Sequence, residues 1–465
     1  MPSRRFQGLA VASLLLATAA SAQPATPAFD AAVLARATVL RDTALRDNRA
    51  YELVADLTTR IGPRLAGSEG DRQAVIWAQK QLRRAGFANV RAEPVRVPLW
   101  QRREIRVSLG EARLAAAALG GSVGGSADAE VRRFASLAEL QALPSDALQG
   151  RIAFIDQAME RTRDGSGYSS AVGARFHGAV EAARRGASAL VIRSIGTSAG
   201  GVAHTGTMRA DPGVTAIPAV ALSNADADRL AAALQAGPAR LRVHVGSRRF
   251  GDAESANVIG EIPGSSDEIV LLAAHLDSWD LGTGANDDAA GVAIVIEAAR
   301  LIARAGIRPR RTLRVVLYAN EEFGLSGARQ YAEAHAAELD RHVLAMEADF
   351  GSGAVFQLAS RVAEPALPAI ASMQELLRPL GVEPAHNQAS GGPDLRPLRE
   401  RGVPVLEPRQ DGTLYFDVHH TERDVLASID RAGLRQNVAV YAVAAYLASE
   451  YGPGFGRLPA TAAAP

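Results

Sequence analysis

Residues 268–303 read EIVLLAAHLDSWDLGTGANDDAAGVAIVIEAARLIA, and this stretch decides the fold. Its first part, 268–275, is apolar at successive positions, as in a strand covered on both faces. The run stops at His275 and Asp277, Gly282-Thr283-Gly284 makes a turn, and Asp287 and Asp288 open a helix predicted over 289–305. Downstream the alternation repeats. Strands are predicted at 312–318, 342–347 and 404–406, and helices at 327–339, near 366–377 and over 429–450. Upstream come helices over 28–47, 51–61 and 71–85, and strands at 90–97 and 258–261. Strands alternating with helices predict an open α/β sheet covered by helices on each side.

Between about 103 and 250 the texture changes to short apolar runs in a Gly-, Ala- and Ser-rich background, as at 152–155 and 189–192. This segment reads as an inserted subdomain. Its histidines, His177, His204 and His244, have no carboxylate cluster beside them and read as structural; Glu333 and His335 read as helix surface.

The chain has 465 residues, enough for more than one domain, with 51 basic against 50 acidic residues. Near-neutral charge without long like-charged runs gives no sign of a nucleic-acid partner. Arg4 and Arg5, an apolar run from Leu9 to Ala20, and Ala20-Ser21-Ala22 read as an export signal over 1–22 with cleavage near Ala22, too short to span a bilayer. The expected location is therefore secreted or periplasmic, with no membrane span. There is no cysteine, so disulfides are excluded and any metal must be held by His, Asp and Glu. The Ala/Pro-rich end, 456–465, is expected to be a disordered tail.

Candidate chemistry sits where strands end. His275 and Asp277 follow one strand, Asp287 and Asp288 the glycine turn, Glu321 and Glu322 the next strand, and Asp349 a third; His419 and His420 come from a later loop. In open α/β sheets the carboxyl ends of strands line the ligand crevice. Several carboxylates in one pocket repel unless cations hold them ionised. Two divalent ions about 3.5–4 Å apart would do so and suit water attack on an amide. Zinc fits mixed imidazole and carboxylate ligands, with cobalt and manganese as alternatives. Neighbours at a strand end face opposite ways, so of Glu321 and Glu322 one can bind metal while the other serves as general base. Taken singly, each group has a plain structural role open to it; Asp287 and Asp288, for example, could simply cap their helix.

These residues, His275-Leu276-Asp277-Ser278-Trp279-Asp280, Asn286-Asp287-Asp288, Glu321-Glu322, Asp349 and His420, resemble the zinc aminopeptidase clan, and within it the carboxypeptidase Q-like metallopeptidases. The likeness also includes Gly62-Pro63-Arg64-Leu65-Ala66-Gly67-Ser68 and Arg308-Pro309-Arg310-Arg311-Thr312-Leu313-Arg314. The resemblance implies an α/β/α sandwich with a mixed, mostly parallel sheet, peptidase parts at 23–103 and 251–455, and a protease-associated-type domain at 104–250. It implies two zinc ions per chain, one held by His275, Asp287 and Asp349 and the other by Asp287, Glu322 and His420. Glu321 would be the base and Asp277 would orient His275. His420 is preferred to His419 because Asp424 follows it by four residues, as in the family pattern. The resemblance further implies a homodimer. The expected activity is hydrolysis of unblocked dipeptides or short peptides, with aminopeptidase action on longer chains, small-amide deacylation, glutaminyl cyclisation or a non-catalytic receptor role as rivals.

Overall fold

The computed structural model describes residues 28–306 and 308–460; the expected export signal and residues 461–465 lie outside them. The run Ile269–His275 lies inside an eight-stranded sheet, between Thr312–Tyr318 and His342–Glu347, and is parallel to both. Across the sheet the order is Ala88–Gln101, Arg248–Ile262, Thr312–Tyr318, Ile269–His275, His342–Glu347, Val405–Gln410, Val355–Arg361 and Glu383–Pro384. Four of the seven pairings are parallel, so the sheet is mixed and mostly parallel.

The two-residue period of a strand sorts its side chains between two helical layers. Val270, Leu272 and Ala274 pack on one face with the helices Ala290–Arg304 and Arg431–Glu450 and the N-terminal helices. Ile269, Leu271 and Ala273 pack on the other face with Ala328 and Tyr331 of Ser326–Ala334 and Leu398 of Arg396–Glu400. Each large aliphatic chain fully buried this way contributes about 1.5–3 kcal/mol.

The segment between the first two strands of this sheet builds a second eight-stranded sheet from 105–245. Its strands Gly125–Phe134, Ile152–Ile155, Ala189–Arg193 and Ala219–Leu222 are parallel neighbours; the helix Gly173–Arg184 lies between the second and third in sequence, and Asn224–Ala236 follows the fourth. Ala88–Gln101 and Arg248–Ile262 pair antiparallel from one end to the other and link the two sheets, so a continuous strand crosses the expected boundary at 250–251. Among the described residues no helix is long and apolar enough to cross a membrane.

Several elements differ from the sequence reading. The strand Val355–Arg361 and the two-residue strand Glu383–Pro384 had no clear apolar pattern; pairing with Val405–Gln410 creates the first, and also extends that strand beyond 404–406. His335 is half-buried instead of fully exposed: its ring stacks on Tyr331 and its nitrogens meet Glu93 and Glu338. In the expected tail, the Leu458 amide donates to the Gly402 carbonyl at 3.0 Å and Arg457 pairs with Asp340 at 2.9 Å.

Gly291 begins the helix behind the central strand, and a Cβ there would overlap the Ala348 carbonyl oxygen, a backbone atom unable to swing away. On an open helix Gly→Ala stabilises by roughly 0.5–1 kcal/mol. Here the sign is expected to reverse: Gly291→Ala should lower the free energy of unfolding in denaturant by about 1–3 kcal/mol. A rise in stability would contradict this close approach.

Candidate metal centre

His275 is in register with Tyr318, and Ala273 with Glu347, so three adjacent parallel strands end at one edge of the sheet. The loops that leave this edge bring the candidate residues together. His275 Nε2 lies 3.1 Å from Asp287 Oδ1 and 3.3 Å from Asp349 Oδ1. His420 Nε2 lies 3.2 Å from Asp287 Oδ2 and 3.0 Å from Glu322 Oε2. Asp287 therefore turns one carboxylate oxygen to each imidazole. Ligand atoms of His275, Asp287 and Asp349 all lie within 4.8 Å of one another, as do those of Asp287, His419 and His420. His419 stacks on His420 at 3.5 Å between ring centroids and approaches Asp287 only to 3.7 Å. Of the two histidines, His420 also reaches Glu322.

The two aspartates after the glycine turn separate in role. Both have non-helical backbone angles, the peptide bond between them is cis, and the helix starts at Ala290 instead of directly after the pair. Asp288 accepts from the His275 amide at 3.1 Å and the Gly291 amide at 2.9 Å, a local backbone role. Asp287 is left to face the imidazoles.

The adjacent glutamates divide as well. Glu322 is buried against His420. Glu321 stays partly open to the cleft, and its carboxylate makes no hydrogen bond among the described residues. Its amide donates to Asp277 Oδ1 at 3.0 Å, and the same oxygen lies 3.5 Å from His275 Nδ1, at the outer limit for a hydrogen bond. Asp277 thus holds the Glu321 amide and approaches His275 with the same oxygen.

Burial sets the charge problem. It pushes the Glu322 carboxyl up to about 7, with the Asp287 charge adding to the effect. It pushes Glu321 well above the carboxylate range, with Asp349 as the next cause, and raises Asp349 too. Asp287 moves the other way: burial opposes ionisation, but the His275 hydrogen bond and the close His420 imidazole outweigh it and hold the group well below its ordinary value. Packed acids of this kind ionise together only beside added positive charge. Asp287 Oδ2 and Glu322 Oε1 are moreover buried acceptors with no hydrogen-bond donor among the described residues, as metal-ligand atoms are. Imidazole and carboxylate donors without thiolate fit zinc in an open hydrolytic site.

Residues 257–445 match the family model of Peptidase family M28. Carboxypeptidase Q of Mus musculus is 36% identical over 413 residues, covering 87% of this chain and 86% of its own. The chain belongs to peptidase family M28. The crystal structure of a peptidase M28 precursor from Shewanella amazonensis SB2B superimposes with a TM-score of 0.90 at 46% identity, covering 92% of this chain and 99% of that one. A zinc aminopeptidase from Bacillus subtilis shares the fold at a TM-score of 0.65 and 21% identity, covering 86% and 95%.

In this M28 peptidase other residues hold the centre in place, and the sequence pattern did not single most of them out. Asp424 accepts from the Asn286 amide at 2.7 Å and the Asp287 amide at 3.1 Å, fixing the backbone that presents Asp287. Buried Arg64 donates to the carbonyls of Leu276, Thr283 and Gly284 at 2.6, 2.7 and 2.9 Å and shapes the loop after His275. It carries no periodic signal, because its partners are carbonyls more than 200 residues away.

The second sheet grips the histidine loop. His204 Nδ1 donates to the His419 carbonyl at 2.7 Å, the Thr205 amide to the His420 carbonyl at 3.0 Å, and His420 Nδ1 to the Thr205 carbonyl at 3.2 Å. That last bond puts a proton on Nδ1 of His420 and turns Nε2 toward Asp287 and Glu322. Thr197 holds the Phe416 carbonyl, and Arg161 pairs with Asp417 at 2.6 Å. His204, placed among structural histidines by the sequence reading, is thus buried in the contact that positions His420.

Burial lowers His204 to about 4, outweighing its bond to the carbonyl, with nearby His420 adding to the drop. An unfolded histidine titrates near ~6.5, so between there and about 4 the unfolded chain binds a proton that the native chain excludes. The stability contributed by neutral His204 is complete above this window and declines as pH falls through it. His204→Asn, which keeps a donor for the carbonyl, should flatten that part of the stability–pH curve. Parallel curves for the two proteins in denaturant titrations from pH 7 to 4 would contradict this.

Proposed function

We propose that this M28 peptidase is a di-zinc exopeptidase that hydrolyses unblocked dipeptides or short peptides. The observation that carries the reading is the division of Asp287 between two half-sites, His275 with Asp349 on one side and His420 with Glu322 on the other. In it, His275, Asp287 and Asp349 hold one ion, and Asp287, Glu322 and His420 the other. Two such ions supply Lewis-acid polarisation of the peptide carbonyl and ease deprotonation of water. Glu321, adjacent and unengaged, takes the proton of the attacking water and passes it to the leaving amine. Asp277 positions both His275 and Glu321 through one oxygen atom. The 104–250 segment, read as a protease-associated-type domain, walls the cleft and carries the contacts that hold the His420 loop. The reading extends to an exported homodimer, expectations that rest on residues 1–22 and on the family resemblance.

Glu321→Gln should keep fold and bound metal and lose about 10²–10⁴-fold or more in turnover of a dipeptide. Substantial activity in that variant removes Glu321 from its role. Asp287→Ala should lower both metal stoichiometry, read by elemental analysis after dialysis, and the thermal midpoint of the metal-loaded protein. A stoichiometry of two ions per chain in that variant contradicts a shared ligand.

A further inference from the structure

Where the chain leaves the first sheet for the second, between the strands Ala88–Gln101 and Ile105–Leu109, stands Arg102, its side chain 9% exposed. Its Nε donates to both carboxylate oxygens of Asp280 at 3.0 Å. Nη2 donates to Asp280 Oδ1 at 2.9 Å and to Thr205 Oγ1 at 3.0 Å. Nη1 donates to the Ala118 carbonyl, which also accepts from Thr205 Oγ1 at 2.8 Å. The planar guanidinium, with five donors in a fixed fork, suits a carboxylate on one side and a hydroxyl on the other.

The two partners lead to different half-sites. Asp280 lies on the loop that follows His275 and Asp277. Thr205 holds His420 twice, its amide donating to the His420 carbonyl at 3.0 Å and its carbonyl accepting from Nδ1 at 3.2 Å. Trp279 stands between them, with its ring 5.7 Å from that of His420 and 5.9 Å from the guanidinium carbon of Arg102. The second sheet leaves room for this indole at Gly120, where a Cβ would overlap it. The contacts close on themselves: Arg102, Asp280, Trp279, His420, Thr205 and back to Arg102.

The half-sites depend on this circuit unequally. The loop after His275 is fastened independently by Arg64 through the carbonyls of Leu276, Thr283 and Gly284, and the His275 amide by Asp288. The His420 imidazole has its Nδ1 on Thr205 and one side against Trp279, and Arg102 touches both of those residues.

Resting on the two-ion reading proposed above, we propose that Arg102 is a positioning residue. Clasped to Asp280 and Thr205, it holds the His420 imidazole toward Asp287 and Glu322 and so sets how tightly the second half-site keeps its ion. The His275 half-site relies on its own supports. The joint between the two sheets thereby becomes part of metal retention.

Zinc titrations of metal-stripped protein against a chelating dye provide the test. Asp349→Ala confines binding to the His420 half-site, and Glu322→Ala to the His275 half-site. Arg102→Met should weaken zinc binding by about 10–100-fold in the Asp349→Ala background and leave it unchanged in the Glu322→Ala background. Arg102→Lys should restore part of the loss. Asp280→Asn should lose less than Arg102→Met, and combining the two should cost no more than Arg102→Met alone. The ring signals of 13C-labelled histidine in metal-free protein give a second readout: in Arg102→Met the His420 signal, assigned by His420→Asn, should move while that of His275 stays. Equal losses in both backgrounds, the outcome of a general scaffold role, overturn the proposal while leaving the two-ion reading intact. So does unchanged binding in both. If the wild type binds only one ion, the two-ion reading fails, and the histidine spectrum still decides: an unmoved His420 signal ends the positioning role of Arg102.

Discussion

The rest of the structure is arranged around a mutual repulsion: Asp287, Glu322, Asp349 and Glu321 crowd one buried crevice with two imidazoles between them. Nothing in an apolar interior would gather such groups by itself, since burial favours their neutral forms. The surroundings hold them there instead. Asp288 takes the nearby backbone amides, leaving Asp287 free; Asp424 pins the amides of residues 286 and 287; and Arg64 fastens the loop between His275 and Gly284. These contacts are made to backbone, so the loop shape is set by hydrogen bonding and the carboxylates can remain in an arrangement that only cations stabilise.

The two sheets meet in this centre. The main sheet supplies the strand ends, but the loop with His419 and His420 is held from outside by Thr197, His204 and Thr205. One bond in this contact also puts a proton on Nδ1 of His420 and aims Nε2 at Asp287 and Glu322, so the second sheet contributes to the orientation of a candidate ligand. Arg175 and Tyr168 come from the same part of the chain and face the same cleft, which makes the second sheet one wall of the site.

How much could be read beforehand followed the strength of the local pattern. Strands 312–318 and 342–347 were legible to the residue because they are apolar on both faces, and the helix at 289–305 to within a residue at each end. Val355–Arg361 was not, because its mixed polar and apolar residues become a strand only through pairing with Val405–Gln410. The candidate ligands were visible as acids and histidines at strand ends. Adjacent like residues were harder to separate: Asp287 from Asp288, Glu321 from Glu322, and His419 from His420 differ in backbone direction, which composition does not encode.

The sequence by itself determined the layered architecture, the edge of the sheet where chemistry gathers, and the residue types there. Apolar periodicity and the placement of charge are local properties that survive without coordinates. The tertiary structure alone decided which oxygen of Asp287 faces which histidine, which glutamate stays free, and that a buried arginine from the second sheet enters the cleft. Those depend on loops meeting at distances of 3 Å or so, some of them, as with Asp287 and His420, more than a hundred residues apart in sequence, where a change of one hydrogen-bond partner redirects a side chain.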